Sequence, residues 1–224
     1  PQKLILQNSQ DYNYLNNFKK YKKKIYLIPI GYLDIYPTLF SIDSSKKRDI
    51  DILFFGRISK YKGIEYLIEA IQKLKYEGLY PRVCIAGFGD YDFGIDKLNS
   101  LENIEFINTY IDNNKLSCLL SRAKFVVCPY TDATQSGVLM TAFAYNVPVI
   151  ASSVGGFKDI IFDGINGKLV KPKESEDLKF FFIDIFNKPQ KINNMKKNIK
   201  NYLHLSEFRW ESITQNLDNI YNKI

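Results

Sequence analysis

Two short apolar segments enclose a polar loop between residues 126 and 152, and this pattern limits the possible folds more than any other part of the sequence. The segments at 126–127 and 147–151 are rich in β-branched residues, which is typical of strands buried on both faces of a parallel sheet. A helical stretch at 138–145 follows the loop. This order predicts a strand, a loop, a helix and a second strand, the repeating unit of an α/β fold.

The loop at 131–136 has the composition of an anion-binding turn. Gly137 would let a ligand approach main-chain N–H groups at the start of the helix, and anions bind at helix N-termini that follow parallel strands. Asp132 is the only carboxylate in the loop, and Gln135 and Ser136 offer neutral hydrogen-bonding groups. An ordinary strand-to-helix turn of a doubly wound domain explains the same residues, so the loop alone leaves both interpretations open.

Strands and helices alternate along most of the chain, which predicts a doubly wound, Rossmann-like parallel sheet with right-handed crossovers and helices on both faces. The predicted strands are 50–55, 82–86, 104–107, 125–128, 147–151 and 168–170, and the predicted helices are 64–77, 93–101, 114–122, 138–145, 157–162, 174–187, 191–203 and 206–222.

The first 48 residues break this rhythm. They contain two short predicted strands, 3–6 and 25–28, a polar helical stretch at 11–24 and a turn-rich segment at 29–48. We therefore expect residues 1–48 to be the remnant of a preceding domain plus a linker, and residues 49–224 to be a nucleotide-sugar-binding domain once the loops below are considered.

Charge and cysteine content narrow the partners without selecting one. The formal charge is +7, from 31 Lys and Arg against 24 Asp and Glu, which suits phosphates, nucleic acid or anionic lipid. Cys84, Cys118 and Cys128 have no metal-ligand spacing, and reduced thiols in a cytosolic protein are expected. No apolar run approaches the roughly 20 residues of a membrane-spanning helix.

Loops that follow strands of a parallel sheet are where ligands bind. After the first strand of the sheet, Arg57 and Lys62 are two cations five positions apart, and both could reach a diphosphate; two solvated surface cations are the alternative. Gly87 and Gly89 follow the second strand without completing a dinucleotide fingerprint. Main-chain groups as far as Ile111 could pair with the edge of a base.

Taken together, these loops resemble the carboxyl-terminal donor-binding domain of family 4 (group 1) retaining glycosyltransferases of the GT-B fold. The resemblance covers about residues 49–224. It rests on the Gly-Arg and Lys-Gly pairs at 56–63, the glycine turn at 86–89, the Pro-Tyr to Ser-Gly-Val motif at 129–138, and the segment at 154–167. Phe-Arg-Trp-Glu at 208–211, before a final amphipathic helix, is similar to the last helix of these enzymes.

The resemblance implies that Arg57 and Lys62 neutralise the donor diphosphate, so that neither a metal ion nor another cofactor is expected. The family usually carries two glutamates eight positions apart in the fourth loop and its helix; Ala133 and Thr141 occupy those positions here. Asp132 is the nearest substitute for the first glutamate, and Thr141 could offer the ribose only a hydroxyl.

The resemblance therefore predicts a metal-independent, hexosyl-type glycosyltransferase that moves a sugar, with retention, from a nucleotide-sugar to a glycan or lipid-linked acceptor in polysaccharide, glycolipid or glycoprotein glycan synthesis. It would be cytoplasmic. With the N-terminal acceptor domain absent from this chain, we expect the chain alone to transfer sugar poorly or not at all. A non-catalytic nucleotide or nucleotide-sugar binding module is the alternative.

Basic runs at 19–24 and 196–200 suggest a further hypothesis, peripheral contact with the inner membrane face. The aromatic residues lack the ordered spacing of a nucleic-acid platform, so no nucleic-acid partner is expected.

The predicted site divides into two sets of residues. The catalytic set is Arg57, Lys62 and Asp132, and the donor-binding set is Gly56, Gly87, Gly89, Ile111, Gln135, Ser136, Gly137, Val138 and Thr141.

Overall fold

The structure is a computed structural model that describes residues 3–40, 48–90, 92, 98, 101, 103–203 and 206–222. Eight strands lie in these ranges: β1 (Leu4–Leu6), β2 (Ile25–Leu27), β3 (Ile50–Phe55), β4 (Val83–Gly87), β5 (Ile104–Asn108), β6 (Ala123–Cys128), β7 (Val149–Ser152) and β8 (Gly167–Val170). Strands β1 and β2 pair as a small parallel sheet of their own. The other six form one parallel sheet in the order β5-β4-β3-β6-β7-β8, which confirms the predicted fold class.

Helices connect these strands. Within the described ranges they are α1 (Ser9–Asn16), α2 (Ile35–Leu39), α3 (Ile64–Tyr76), α4 (Asn113–Arg122), α5 (Gly137–Ala144), α6 (Phe157–Ile160), α7 (Ser175–Asn187), α8 (Gln190–Leu203) and α9 (Trp210–Tyr221). Short 3-10 turns cover Lys60–Lys62 and Ser206–Phe208. Strand order reverses between β3 and β6, and ligands of open α/β sheets bind at the carboxyl ends of the strands on either side of such a reversal.

Burial on both faces explains why the central strands are continuous apolar runs. Every residue of β4 is buried, and so are five of the six residues of β3 and of β6. Helix α3 buries one stripe against the sheet, with Leu67, Ile68, Ile71 and Leu74 at helical spacing. Each fully buried aliphatic side chain of this kind contributes about 1.5–3 kcal/mol.

The predicted helix at 11–24 is wrong in both bounds. Helix α1 begins at Ser9 because the Asn8 side chain caps it, accepting a hydrogen bond from the Asp11 N–H at 2.8 Å. It ends at Asn16, and the lysine-rich residues that follow form turns, with Lys23 at φ +73°. None of residues 17–24 is buried, and tertiary packing supplies most helix stability.

Four further predictions needed adjustment or lie outside the described residues. The predicted linker at 29–48 contains α2, whose position follows from packing against α4 and α5. Helix α6 ends at Ile160, because the Asn166 side chain binds the backbone groups that a further helical turn would use. Its amide donates a hydrogen bond to the Ile160 carbonyl and accepts one from the Phe162 N–H. The final helix begins at Trp210, later than predicted. The predicted helix at 93–101 falls mostly outside the described residues.

The amino-terminal segment packs on the carboxyl-terminal helix. Ile28 is buried with Ile213 and Ile220, and the Trp210 indole N–H donates to the Tyr32 carbonyl at 3.0 Å. Gly31 lies under the Trp210 ring, where an added β-carbon would come 2.5 Å from Cε2. In the part of the chain covered by the structure, no helix combines the length and apolar character needed to cross a membrane.

Candidate functional site

Three loops meet above the carboxyl ends of the central strands. The turns after β3 and β4 run side by side, with the Gly56 N–H donating to the Ala86 carbonyl at 3.0 Å and the Ile58 N–H donating to the Phe88 carbonyl at 3.0 Å. The contact requires glycine, since a β-carbon on Gly87 would lie 1.7 Å from the Gly56 carbonyl oxygen. On its other side, Gly56 faces Val138 at the start of α5.

A second tie holds the loop after β4 to the end of β5. The Asn108 amide accepts a hydrogen bond from the Gly89 N–H at 3.3 Å and donates to the Gly89 carbonyl at 3.1 Å. These two bonds fix the glycine turn against the neighbouring strand, so the rim of the site is built from β3, β4 and β5 together.

A cleft of about 650 Å³ opens between these loops. Arg57 lines it, and this side chain makes no hydrogen bond or ion pair with any residue that the structure describes. The other residues that line it are mostly apolar or glycine, with Asp90 as the one carboxylate among them, and come from the ends of β3, β4 and β5 and from α4: Phe55, Gly56, Gly87, Phe88, Gly89, Asp90, Tyr110, Ile111 and Leu116.

Lys62 lies in the 3-10 turn that follows, and it is nearly buried, with 7% of its surface exposed. Its ammonium nitrogen lies 3.8 Å from the centroid of the Tyr130 ring and 4.9 Å from that of Tyr61. Gly63 makes this approach possible: its φ is +63°, and a β-carbon there would lie 2.1 Å from the Pro129 carbonyl oxygen. Lys62 forms no ion pair within the described ranges.

The start of α5 supplies main-chain donors next to Gly56, the residue before Arg57, whereas neither Lys62 nor residues 136–138 line the cleft. Ser136 is the N-cap, and its hydroxyl accepts a long hydrogen bond, 3.4 Å, from the Leu139 N–H. Gly137 and Val138 are the first helical residues, so their N–H groups have no acceptor inside the helix. Gly137 is exposed, with nothing within 4 Å of the place where a β-carbon would stand.

Two of the predicted donor-binding side chains are engaged elsewhere. Gln135 donates its side-chain amide to the Gln7 carbonyl and rests against Gly156, and it is absent from the cleft lining. The Thr141 hydroxyl is buried and donates to the Gly137 carbonyl at 2.7 Å. Asp132 is exposed and makes no hydrogen bond or ion pair in the part of the chain that the structure covers.

Burial controls the ionisation of the groups beneath Lys62. It raises the pKa of the Cys128 thiol to about 12, and the nearby Lys62 charge opposes that rise only in part. Burial is also the main cause of the raised pKa of Tyr130, followed by its contact with Cys128. Both groups stay neutral at physiological pH, so neither offers Lys62 a negative charge.

The sequence of the chain matches the family model described as "Glycosyl transferases group 1" over residues 37–202. The chain belongs to the group 1 glycosyltransferase family.

Individual relatives agree with this assignment. An uncharacterized glycosyltransferase of Methanocaldococcus jannaschii is 31% identical over 178 residues, covering 76% of this chain and 44% of the relative. An Anabaena HepE structure superposes with a TM-score of 0.77 at 18% identity, covering 100% of this chain and 64% of HepE. A TarM structure from S. aureus gives 0.79 at 19% identity, covering 98% of this chain and 43% of TarM.

The chain spans less than half of the length of the first curated relatives it matches, 44% to 48%. The structural neighbours have a GT-B glycosyltransferase fold, with which the six-stranded parallel sheet and its flanking helices agree. Among the described residues, no three His, Cys, Asp or Glu side chains gather as a metal site requires.

Sequence reasoning missed several residues that shape the candidate site. Phe88 and Tyr110 are exposed aromatic side chains on the cleft wall, and Asn108 braces the glycine turn. The Tyr130 ring contacts the Lys62 ammonium through its face. In the sequence, the place of Tyr130 directly after Pro129 at a strand end could have indicated a role in the site. A tyrosine next to a strand is equally consistent with a core residue.

Proposed function

We propose that this chain is the nucleotide-sugar-binding part of a retaining, hexosyl-type, family 4 glycosyltransferase of glycan synthesis that works without a metal ion. The observation that carries the proposal is a pair of cations without carboxylate partners among the described residues, Arg57 at the cleft and Lys62 in the same loop, with the N-terminus of α5 next to that loop at Gly56. Retention and sugar type follow from the resemblance in the sequence.

The arrangement suits a leaving nucleoside diphosphate. Arg57 can present a planar fork to two phosphate oxygens, whereas Lys62 offers three donors from one point charge. The N-terminus of α5 adds unpaired amides and the positive end of its dipole. Because negative charge accumulates on the diphosphate as the glycosidic bond breaks, donors fixed in advance lower the barrier to transfer.

The base would occupy the cleft that Arg57 lines. Its walls are largely apolar, and Gly87, Gly89 and Ile111 are among the residues that line it. The HepE neighbour was solved with UDP-glucose, and the TarM neighbour with UDP and alpha-GlcNAc-glycerol. These ligands support a nucleotide-sugar as the donor and a glycan as the acceptor for this chain, and the lipid-linked alternative rests on the resemblance in the sequence.

Calorimetric titration with uridine, guanosine and adenosine diphosphates and their sugars tests the site. Deleting one charge-assisted contact should cost about 1.5 kcal/mol, so Arg57→Ala and Lys62→Met should each raise Kd at least about tenfold for the tightest ligand. Lys60→Ala is the matched control, because Lys60 is an exposed cation in the same turn. Equal affinities for parent, Arg57→Ala and Lys62→Met would remove the proposed diphosphate site.

One observation favours a non-catalytic nucleotide-sugar binding module as the second candidate. Thr141 stands where the family usually has a glutamate, and its hydroxyl is committed to the Gly137 carbonyl. A donor that binds but is never hydrolysed would support the module; a donor that is slowly hydrolysed, with loss of hydrolysis in Arg57→Ala, would support the enzyme.

Peripheral contact with an anionic membrane completes the proposal. Residues 12–33 contain five lysines and no acidic residue, and those five lysines are exposed. Tyr14 and Phe18 are exposed next to them, with their rings edge to face at 5.4 Å. Lysines attract anionic headgroups and aromatic rings favour the interface, so this surface fits the cytoplasmic face of a membrane.

A further inference from the structure

The nearly buried Lys62 ammonium is held without a counter-charge. It makes no ion pair in the described residues, and a buried cation without compensation is costly. What it has is an aromatic ring face: its nitrogen lies 3.8 Å from the Tyr130 centroid, well within the roughly 6 Å over which a ring quadrupole attracts a cation.

Tyr130 is itself fixed from several sides. It is 1% exposed, and its ring packs edge to face with Tyr61 at 6.0 Å and with Phe157 at 5.3 Å. Its neighbour Thr131 donates its N–H to the Tyr61 carbonyl at 2.8 Å, so the loop after β6 is bonded directly to the turn that carries Lys62. The ring therefore has one orientation available beneath the ammonium.

The Tyr130 hydroxyl does not account for the role of a tyrosine at this position. It is buried beside Ser136 and Cys128, and it has no hydrogen-bond partner of normal geometry in the described part of the chain. A buried hydroxyl without such a partner adds little to stability, whereas the ring contacts Lys62, Tyr61 and Phe157.

We propose that Tyr130 is a positioning residue for Lys62: its ring face holds the ammonium at the diphosphate position without neutralising it. A carboxylate in the same place would also hold Lys62, but it would compete with the phosphates for the same positive charge. A ring attracts the cation and leaves its net charge available. This inference rests on the proposed function, since it assigns Lys62 to the diphosphate.

The test replaces Tyr130 by Phe and by Phe derivatives carrying one, two and three ring fluorines, which keep the shape of the side chain while weakening the ring quadrupole. Kd is measured for the tightest nucleoside diphosphate and for its monophosphate. Tyr130→Phe should bind within about twofold of the parent. Successive fluorines should raise the diphosphate Kd stepwise, to about five- to thirtyfold at full loss of the interaction, with a smaller change for the monophosphate.

A double-mutant comparison separates positioning from packing. The fluorine series is repeated in Lys62→Met, where no ammonium remains and the Kd should no longer respond to fluorination. Three results would overturn the positioning role. The diphosphate Kd could stay constant across the fluorine series with Lys62 present, or it could rise equally steeply in Lys62→Met. Tyr130→Phe by itself could also weaken diphosphate binding strongly. If Lys62→Met leaves the diphosphate Kd unchanged, or no diphosphate binds, the proposed diphosphate site falls and the inference with it.

Discussion

Gly87 and Gly56 are in backbone contact at the rim of the cleft, so close that a β-carbon on Gly87 would stand 1.7 Å from the Gly56 carbonyl oxygen. No side-chain rotation can relieve this clash, because both partners are main chain. The contact joins the loop that contains Arg57 to the glycine turn that forms the cleft wall.

Gly87→Ala should therefore destabilise the protein by at least about 2 kcal/mol, the scale of a core overpacking that forces the backbone to shift. Gly137→Ala is the control, since space is open above Gly137 and its φ is not positive; Ala there should leave stability within about 0.5 kcal/mol. Urea denaturation measures both. A Gly87→Ala protein as stable as Gly137→Ala would contradict the close approach of the two loops.

Asp49 and Arg122 form a two-pronged ion pair, with bonds of 2.8 and 2.9 Å that join the start of β3 to the end of α4. The hydrogen bond from Arg122 lowers the pKa of Asp49 below its usual range. A lowered carboxyl pKa in the folded state means that the stabilisation is complete above the unfolded value of about 4 and is lost as pH falls through the folded value.

Asp49→Asn should accordingly lower the free energy of unfolding by about 1 kcal/mol at pH 7, a modest figure because both side chains are about one-third exposed. The gap between parent and variant should shrink as the pH falls below about 4. Denaturant curves at several pH values give the comparison, and a gap that stays constant as the pH falls would rule out the ion pair as its source.

The three cysteines should react in a fixed order with alkylating reagents. Burial raises the pKa of Cys84 and of Cys128 to about 12, whereas Cys118 is partly exposed. Because the thiolate is the reactive form, we expect only Cys118 to be modified in the native protein at pH 7.5. Mass spectrometry of peptides after brief labelling reads this out, with urea-unfolded protein as the fully labelled reference; early labelling of Cys128 would contradict the burial beneath Lys62.

The lysine-rich turn after α1 should bind vesicles that contain phosphatidylglycerol and ignore vesicles of pure phosphatidylcholine. Each lysine near an anionic surface contributes about 1 kcal/mol, so Lys20→Glu with Lys22→Glu should reduce binding at low salt at least about tenfold. Lys171→Glu with Lys173→Glu makes the same change in net charge at two other exposed positions. Sedimentation measures the bound fraction, and equal losses for both pairs would mean that overall charge, not this turn, governs binding.

Much of the fold could be predicted from the sequence because buried strands and helices have recognisable apolar patterns. β3 was predicted to the residue, and β4 was placed within one, because strands covered on both faces must be apolar throughout. Helix α1 was misplaced because its first residue depends on a capping bond from Asn8, and its last on the absence of anything for the lysines to pack against.

By itself, the sequence determined that parallel strands would bring the loops containing Arg57, Gly87 and Ser136 to one edge, because the carboxyl ends of such strands share a side of the sheet. Only the tertiary structure decided which partners the individual side chains contact. Gln135 donates to Gln7, 128 positions away, and the Lys62 ammonium rests on the Tyr130 ring. Periodicity records which residues are buried, whereas hydrogen-bond and charge partners depend on which distant segments the sheet order places side by side.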